Sequence, residues 1–189
     1  MQIEETAIKD VQILCPKKFG DDRGFFSEVW NAQTLKEAGL DLTFVQDNHA
    51  YNAEAGVVRG LHYQLDPKAQ GKLVRVLRGA VIDVAVDIRV GSPTFGQHVA
   101  VELSAENWRQ LWVPAGFAHG YCTLEPDTEI VYKVTDYYSP EHDCGIFWND
   151  QDLNINWSVS TEKAILSEKD KILPLLKDQT RLFEFKETR

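Results

Sequence analysis

Between Phe25 and Tyr138 the chain is a succession of short apolar segments. They read FFSEVWN, FVQDNHAYN, VVRGLHYQL, KLVRVLRGAVIDVAVDIRV, HVAVEL, QLWVPAGFAHGYCTL and EIVYKVTDYY, with Gly, Pro and Asp clusters between them. β-Branched and aromatic side chains dominate, as they do in strands. In the fourth segment Val81, Asp83, Ala85 and Asp87 alternate with Ile82, Val84, Val86 and Ile88, a period of two. Strand follows strand with no long helix between, which predicts an antiparallel sandwich or barrel. Two stretches carry helical signals. One is NAQTLKEAG, from Asn31 to the stop at Gly39. The other is the tail from Ser167 to Asp178, interrupted by Pro174. The 189 residues contain no repeat, low-complexity tract or linker, so residues 1–189 are expected to form a single domain.

Charge narrows the choice of ligand. The chain holds 29 acidic and 20 basic side chains, a net charge of −9. A duplex-binding surface needs clustered Lys and Arg, so no nucleic-acid partner is expected. An anionic small molecule stays compatible if a few cations are focused on it. Cys15, Cys122 and Cys144 are odd in number and lack metal-ligand spacing, which fits free thiols in a reducing compartment. The first residues, MQIEETAIKD, are polar and acidic, unlike a signal peptide. No apolar run reaches the roughly 18 residues of a membrane helix. A cytoplasmic protein with no membrane partner is expected.

The strand VVRGLHYQL carries two polar residues that a core strand does not need. Arg59 and His62 have opposite parity, so a regular strand would point them to opposite faces. Gly60 lies between them and could be a bulge that re-aims one of them. Two readings stand: a surface arginine opposite a satisfied core histidine, or two members of one site. A second histidine bears on the choice. PAGFAHG has the pattern P-x-G-x-x-H, which resembles the second motif of the cupins, whose histidine points into a jelly-roll barrel. The first cupin motif has His-x-His followed by Glu. Here Gln64 follows His62, and Lys68 stands at an expected Glu position. Two imidazoles without a carboxylate make a poor divalent site, so no metal is expected. Acid–base work or anion binding fits such a pair better.

Three further residues admit both a structural and a functional reading. Lys72 is either a surface lysine or a barrel-facing cation able to stabilise an oxyanion. Tyr132 shares a face with Ile130 and Val134, so it is either core or a general acid. Asp170 closes the capping-box-like Ser167-Glu168-Lys169-Asp170, which reads first as a helix start.

Taken together, GDDRGFFSEVWN, FVQDNHA, VVRGLHYQL, KLVRVLRGAVIDVAVDIRVGSPTFG, LWVPAGFAHG, YKVTDYYSPEHD and LSEKD resemble the dTDP-4-dehydrorhamnose 3,5-epimerases, a metal-free family of cupins. The resemblance runs from about residue 19 to residue 170. It implies a mainly β, cupin-type double-stranded β-helix (jelly roll) with a few short helices, mostly C-terminal. It implies a dTDP-4-keto-6-deoxyhexose substrate, no cofactor, and a homodimer in which an N-terminal strand completes the neighbour's site. By the same resemblance His62 is the base, Asp170 its orienting carboxylate, Lys72 the cation at the enolate and Tyr132 the acid. His119, Asp143 and Lys169 are implied to bind substrate. Arg23, Glu28, Gln46, Asp47, Asn48 and Arg59 resemble the nucleotide-diphosphate set. A Glu is common in the family where Asp143 stands, and a basic residue where Cys144 stands. An enzyme inverting only C3 or only C5, and a non-catalytic nucleotide-sugar binder, are the alternatives.

Overall fold

The computed structural model describes residues 1–186. In chain order its strands are β1 (Gln2–Glu5), β2 (Gln12–Cys15), β3 (Lys18–Asp21), β4 (Gly24–Ser27), β5 (Gln46–Asn52), β6 (Val58–Gln64), β7 (Lys72–Arg78) and β8 (Ala80–Asp87). There follow β9 (Arg89–Val90), β10 (His98–Ser104), β11 (Gln110–Val113), β12 (Phe117–Thr123), β13 (Thr128–Val134), β14 (Asp143–Gly145) and β15 (Phe183–Glu184). The helices are α1 (Ala32–Glu37) and α2 (Glu168–Lys171), with one 3-10 turn at Leu176–Asp178.

Two sheets carry the architecture. One has the order β1-β2-β11-β7-β13-β5, the other β10-β8-β12-β6-β14. Within both, every neighbour is antiparallel. Their inner faces meet in a core that includes Val74, Val76, Leu111 and Ile130 from the first sheet and Val81, Ala85, Leu103 and Phe117 from the second. The alternating segments predict an antiparallel sandwich or barrel, and the form it takes is the cupin-type jelly roll that the family resemblance implies. Val81 and Ala85 face inward while Val84, Val86 and Ile88 face outward into a second apolar layer. That outer layer is covered by Ile146, Trp148, Leu153, Trp157 and Leu176. The five-stranded sheet is therefore buried on both faces, which is why β8 is apolar at nearly every position.

The local signals act as their chemistry dictates. Asn31 caps α1 by accepting the Thr34 amide at 3.1 Å, and Gly39, at φ +92°, ends it. Leu35, with Trp30 and Phe44, closes part of the outer face of the six-stranded sheet. The long apolar segment beginning at Lys72 is divided by Gly79 at φ +75° into β7 and β8. Around Pro174 the expected C-terminal helix becomes two short pieces, α2 and the 3-10 turn. Among the described residues no helix is long and apolar enough to cross a membrane.

Candidate active site

The site begins with an irregularity in β6. His62 pairs with His119 of β12, and Arg59 pairs with Tyr121, so three steps along β6 match two along β12. The extra residue is a bulge, and Gly60 (φ +122°) sits in it. A Cβ on Gly60 would come within 2.7 Å of the Gly120 Cα and the His119 carbonyl oxygen. One on Gly120 would come within 2.7 Å of the Arg59 carbonyl oxygen. Only two facing glycines let these backbones approach so closely. The bulge reverses parity between its two sides. Arg59 and His62, which a regular strand would separate, consequently line the same cavity.

Asp170 reaches that cavity from outside the sheets. The Ser167 hydroxyl caps α2 by accepting the Asp170 amide at 3.2 Å. The Asp170 carboxyl group does not turn back to the cap. It lies 2.7 Å from His62 Nε2 and is almost completely buried. Burial alone would raise its pKa. The hydrogen bond and charge of His62, the Ser167 hydroxyl and the Gly60 amide outweigh that and hold it below the usual carboxylate range. An ionised carboxylate can only accept, so Nε2 of His62 carries a proton; in the neutral ring this places the lone pair on Nδ1.

Lys72 and Tyr132 come from the opposite, six-stranded sheet. Lys72 is buried and its ammonium donates to the His62 carbonyl oxygen at 3.4 Å. Desolvation lowers its pKa to about 8 against the opposing pull of Asp83 and Asp143. Tyr132 faces inward beside Ile130 and Val134. Burial raises the phenol's pKa more than the nearby Arg59 charge lowers it, so the hydroxyl keeps its proton. His119 is buried and bonded through Nε2 to Asp83 Oδ1 at 2.9 Å. Desolvation depresses its pKa beyond what Asp83 restores, which favours a neutral ring.

Two adjoining cavities, of about 450 and 390 Å³, share His62, Lys72, Tyr132 and Lys169. The first also holds Arg59, His119, Tyr121 and Asp170. The second holds Gln46, Asn48, Asp143 and Tyr138. Gln46 Nε2 donates to Asn48 Oδ1 at 2.8 Å, and Lys169 pairs with Asp143. Arg59 is an exposed residue whose Nε donates to Asn52 Oδ1 at 2.9 Å, which aims the fork. Thus ten of the thirteen residues singled out from the sequence converge on one hollow.

The other three lie elsewhere in this chain. Asp47 has the opposite parity to Gln46 and Asn48. It points to the outer face of the sheet, where Lys133 binds it at 2.9 Å. Arg23 and Glu28 belong to the β3–β4 hairpin and its exit. Arg23 is bonded to Asp21, and both Arg23 and Glu28 are exposed to solvent. Among the residues of the site that escaped the sequence reading are Asp83, Tyr121 and Tyr138. Asp83 is fully buried, with one carboxylate oxygen on His119 and the other without a partner. Its signal was an acid on the inward parity of β8. Tyr121, two residues after His119 on the same face, could have been found the same way. Among the described residues no group of three His, Cys, Asp or Glu side chains is arranged to hold a metal ion.

The family model for dTDP-4-dehydrorhamnose 3,5-epimerase matches residues 5–178. The chain belongs to that family. It is 56% identical over 185 residues to the dTDP-4-dehydrorhamnose 3,5-epimerase of Salmonella typhimurium, covering 97% of this chain and 100% of that one. Among solved structures it resembles the dTDP-4-dehydrorhamnose 3,5-epimerase of Bacillus anthracis with TDP and PPi bound. There the TM-score is 0.89 at 55% identity, over 92% of this chain and 98% of that one. It also resembles the Legionella pneumophila dTDP-6-deoxy-D-glucose-3,5-epimerase in complex with dTDP-4-keto-L-rhamnose. In that case the TM-score is 0.92 at 48% identity, over 98% of each chain.

Proposed function

We propose that the protein inverts C3 and C5 of dTDP-4-dehydro-6-deoxy-D-glucose, giving dTDP-4-dehydro-L-rhamnose. The observation that carries this reading is the His62–Asp170 pair on one wall of a cavity whose other wall holds Tyr132. Both stereocentres flank the C4 ketone. His62 Nδ1 removes the proton from C3 or C5, and the electron pair moves onto the C4 oxygen as an enolate. The Lys72 ammonium stabilises that oxygen, and low local polarity strengthens the effect. Tyr132 delivers a proton from the opposite face, the C4 carbonyl reforms, and the centre is inverted. The ketone is already in the substrate, so the sequence of steps is redox-neutral and calls for no resident cofactor.

Arg59 binds the diphosphate, for which its forked guanidinium is suited. His119, Gln46, Asn48, Asp143 and Lys169 complete the contacts from within the chain. Arg23 and Glu28 serve the neighbouring copy of a homodimer. Support comes from the β3–β4 hairpin, which leaves Phe19, Phe25 and Phe26 more than half exposed beside Arg23. Asp47 keeps a place in the binding set only through its backbone or a neighbouring copy, since its side chain faces outward.

The deciding experiment is incubation with dTDP-4-keto-6-deoxyglucose in D2O, read by NMR. Deuterium at both C3 and C5 with inverted configuration is expected. Deuterium at one carbon only would make the protein a single-site epimerase. Tight binding with no exchange at either would make it a nucleotide-sugar binder and overturn the proposal.

A further inference from the structure

At the position where a cupin carries its second metal-binding histidine, this chain has Gln64. Its side chain is buried at the end of β6, 4% exposed. Its three hydrogen bonds all go to backbone. Nε2 donates to the Lys68 carbonyl at 2.6 Å and to the Tyr137 carbonyl at 3.1 Å, while Oε1 accepts from the Ser139 amide at 2.8 Å. One amide thereby joins two loops: residues 65–70, which leave β6, and residues 136–139, which leave β13. Those strands belong to different sheets, so the amide ties the two walls of the cavity together at its mouth.

The 136–139 loop has few other anchors. Gln70 Nε2 donates to the Asp136 carbonyl at 2.8 Å, Lys68 reaches the Asp136 carboxylate at 3.2 Å, and Gln46 Oε1 accepts the Tyr138 amide at 3.3 Å. The loop makes no strand pairing of its own beyond Val134. It carries Tyr138, a residue 58% exposed at the rim, whose hydroxyl lies 3.5 Å from Asp143. An aromatic face held open at the entrance to a nucleotide site can receive a base by stacking.

We infer that Gln64 is a positioning residue: a buried amide clasp that holds the 136–139 loop, and with it Tyr138, in the geometry that receives the nucleotide end of the substrate. The inference rests on the epimerase reading. Gln64 touches neither C3 nor C5 and acts through Tyr138, so its loss is felt in binding rather than in proton transfer. The substitution that isolates the effect is Gln64→Glu. It keeps the shape but gives the Tyr137 and Lys68 carbonyls an ionised acceptor in place of their donor.

The test is a double-mutant cycle on dTDP affinity, measured by calorimetry, with steady-state kinetics alongside. For Q64E the Kd of dTDP and the KM of the sugar nucleotide should rise about tenfold, with kcat within about threefold of wild type. Y138A should show a comparable rise, and adding Q64E to Y138A should change little more. Fully additive losses, an unchanged Kd, or a fall in kcat at constant KM would each overturn the clasp. Should Q64E not fold, Q70A removes a different anchor of the same loop and enters the same cycle, with the same requirement of non-additivity. A wild-type protein that binds no dTDP would count against the epimerase reading, whereas normal dTDP binding by Q64E counts against the clasp alone.

Discussion

His62 and Asp170 are 108 residues apart in sequence, yet their side chains meet at 2.7 Å with the carboxylate buried and ionised. One comes from a strand and the other from the first turns of a short helix. The pair exists only because the helix docks against β6, where the Gly60 amide also reaches Asp170.

Asp170→Asn should keep the fold and remove the fixed tautomer. An amide can bond to either imidazole nitrogen state, so Nδ1 is no longer held as the base. We expect proton exchange at C3 and C5 to slow by about 10²-fold or more, approaching the loss in His62→Ala. Exchange rates in D2O measured for the two variants check this, and wild-type exchange in folded D170N would refute it.

Tyr132→Phe separates removal of a proton from its return. The ring and its packing stay, so stability should change little. His62 still forms the enolate and returns a proton to the original face. Deuterium should enter with reduced or no inversion. Lys72→Met should instead suppress exchange altogether, because the enolate loses its cation. NMR of the recovered sugar distinguishes the two outcomes.

Lys72 also sets a pH limit. Burial lowers its pKa from the ordinary lysine value to about 8. Below that value the ammonium is present, and above it the cation is lost. The profile of kcat/KM should therefore fall on its alkaline side from about pH 8, approaching tenfold per unit. A profile flat to pH 9.5 would show that the charge on Lys72 is not needed. A K72M variant with measurable residual activity should lack this limb.

Gly60→Ala tests the bulge. The new Cβ would meet backbone atoms at 2.7 Å at a φ of +122°, so neither rotation nor side-chain adjustment relieves it. A loss of about 2–5 kcal/mol in chemical denaturation is expected. Gly91 also has positive φ (+87°), but nothing lies within 4 Å of the Cβ position there. The same substitution at Gly91 should cost clearly less.

The hairpin gives a test of assembly. If Arg23 serves a neighbouring copy, then Arg23→Glu and His62→Ala are defective in complementary ways. Mixing and re-equilibrating the two should restore about a quarter of wild-type activity, since half the dimers are mixed and each has one intact site. No recovery, with exchange of subunits confirmed by mass spectrometry, would assign Arg23 a different role.

What could be read from sequence followed the range of the interaction. Parity put Tyr132 on the face of Ile130 and Val134, because alternation is a local property of an extended strand; applied to FVQDNHAYN it sets Gln46 and Asn48 on one face. The same rule places Asp47 outward, against its inclusion in the binding set. The cap at Ser167 was legible, since capping spans four residues. The direction of the Asp170 carboxylate was not, because its partner lies in a distant strand. Gly60 marked a bulge, but whether it brought Arg59 to His62 depended on how β12 pairs across it. Asp83 was passed over although it is an acid in an apolar period, because its contact with His119 depends on β8 lying beside β12.

The segment covering the outer face of the five-stranded sheet also delivers Asp170. This ties chemistry to the order in which the chain is made. When β13 has left the ribosome, His62, Lys72, His119 and Tyr132 have all been synthesised, but the imidazole has no carboxylate. Synthesis runs from the N-terminus, and packing of the outer layer waits for Trp148, Trp157 and Leu176. In a chain whose outer layer has not yet closed, His62 stands without its buried carboxylate, so the site is completed only by the last layer to pack.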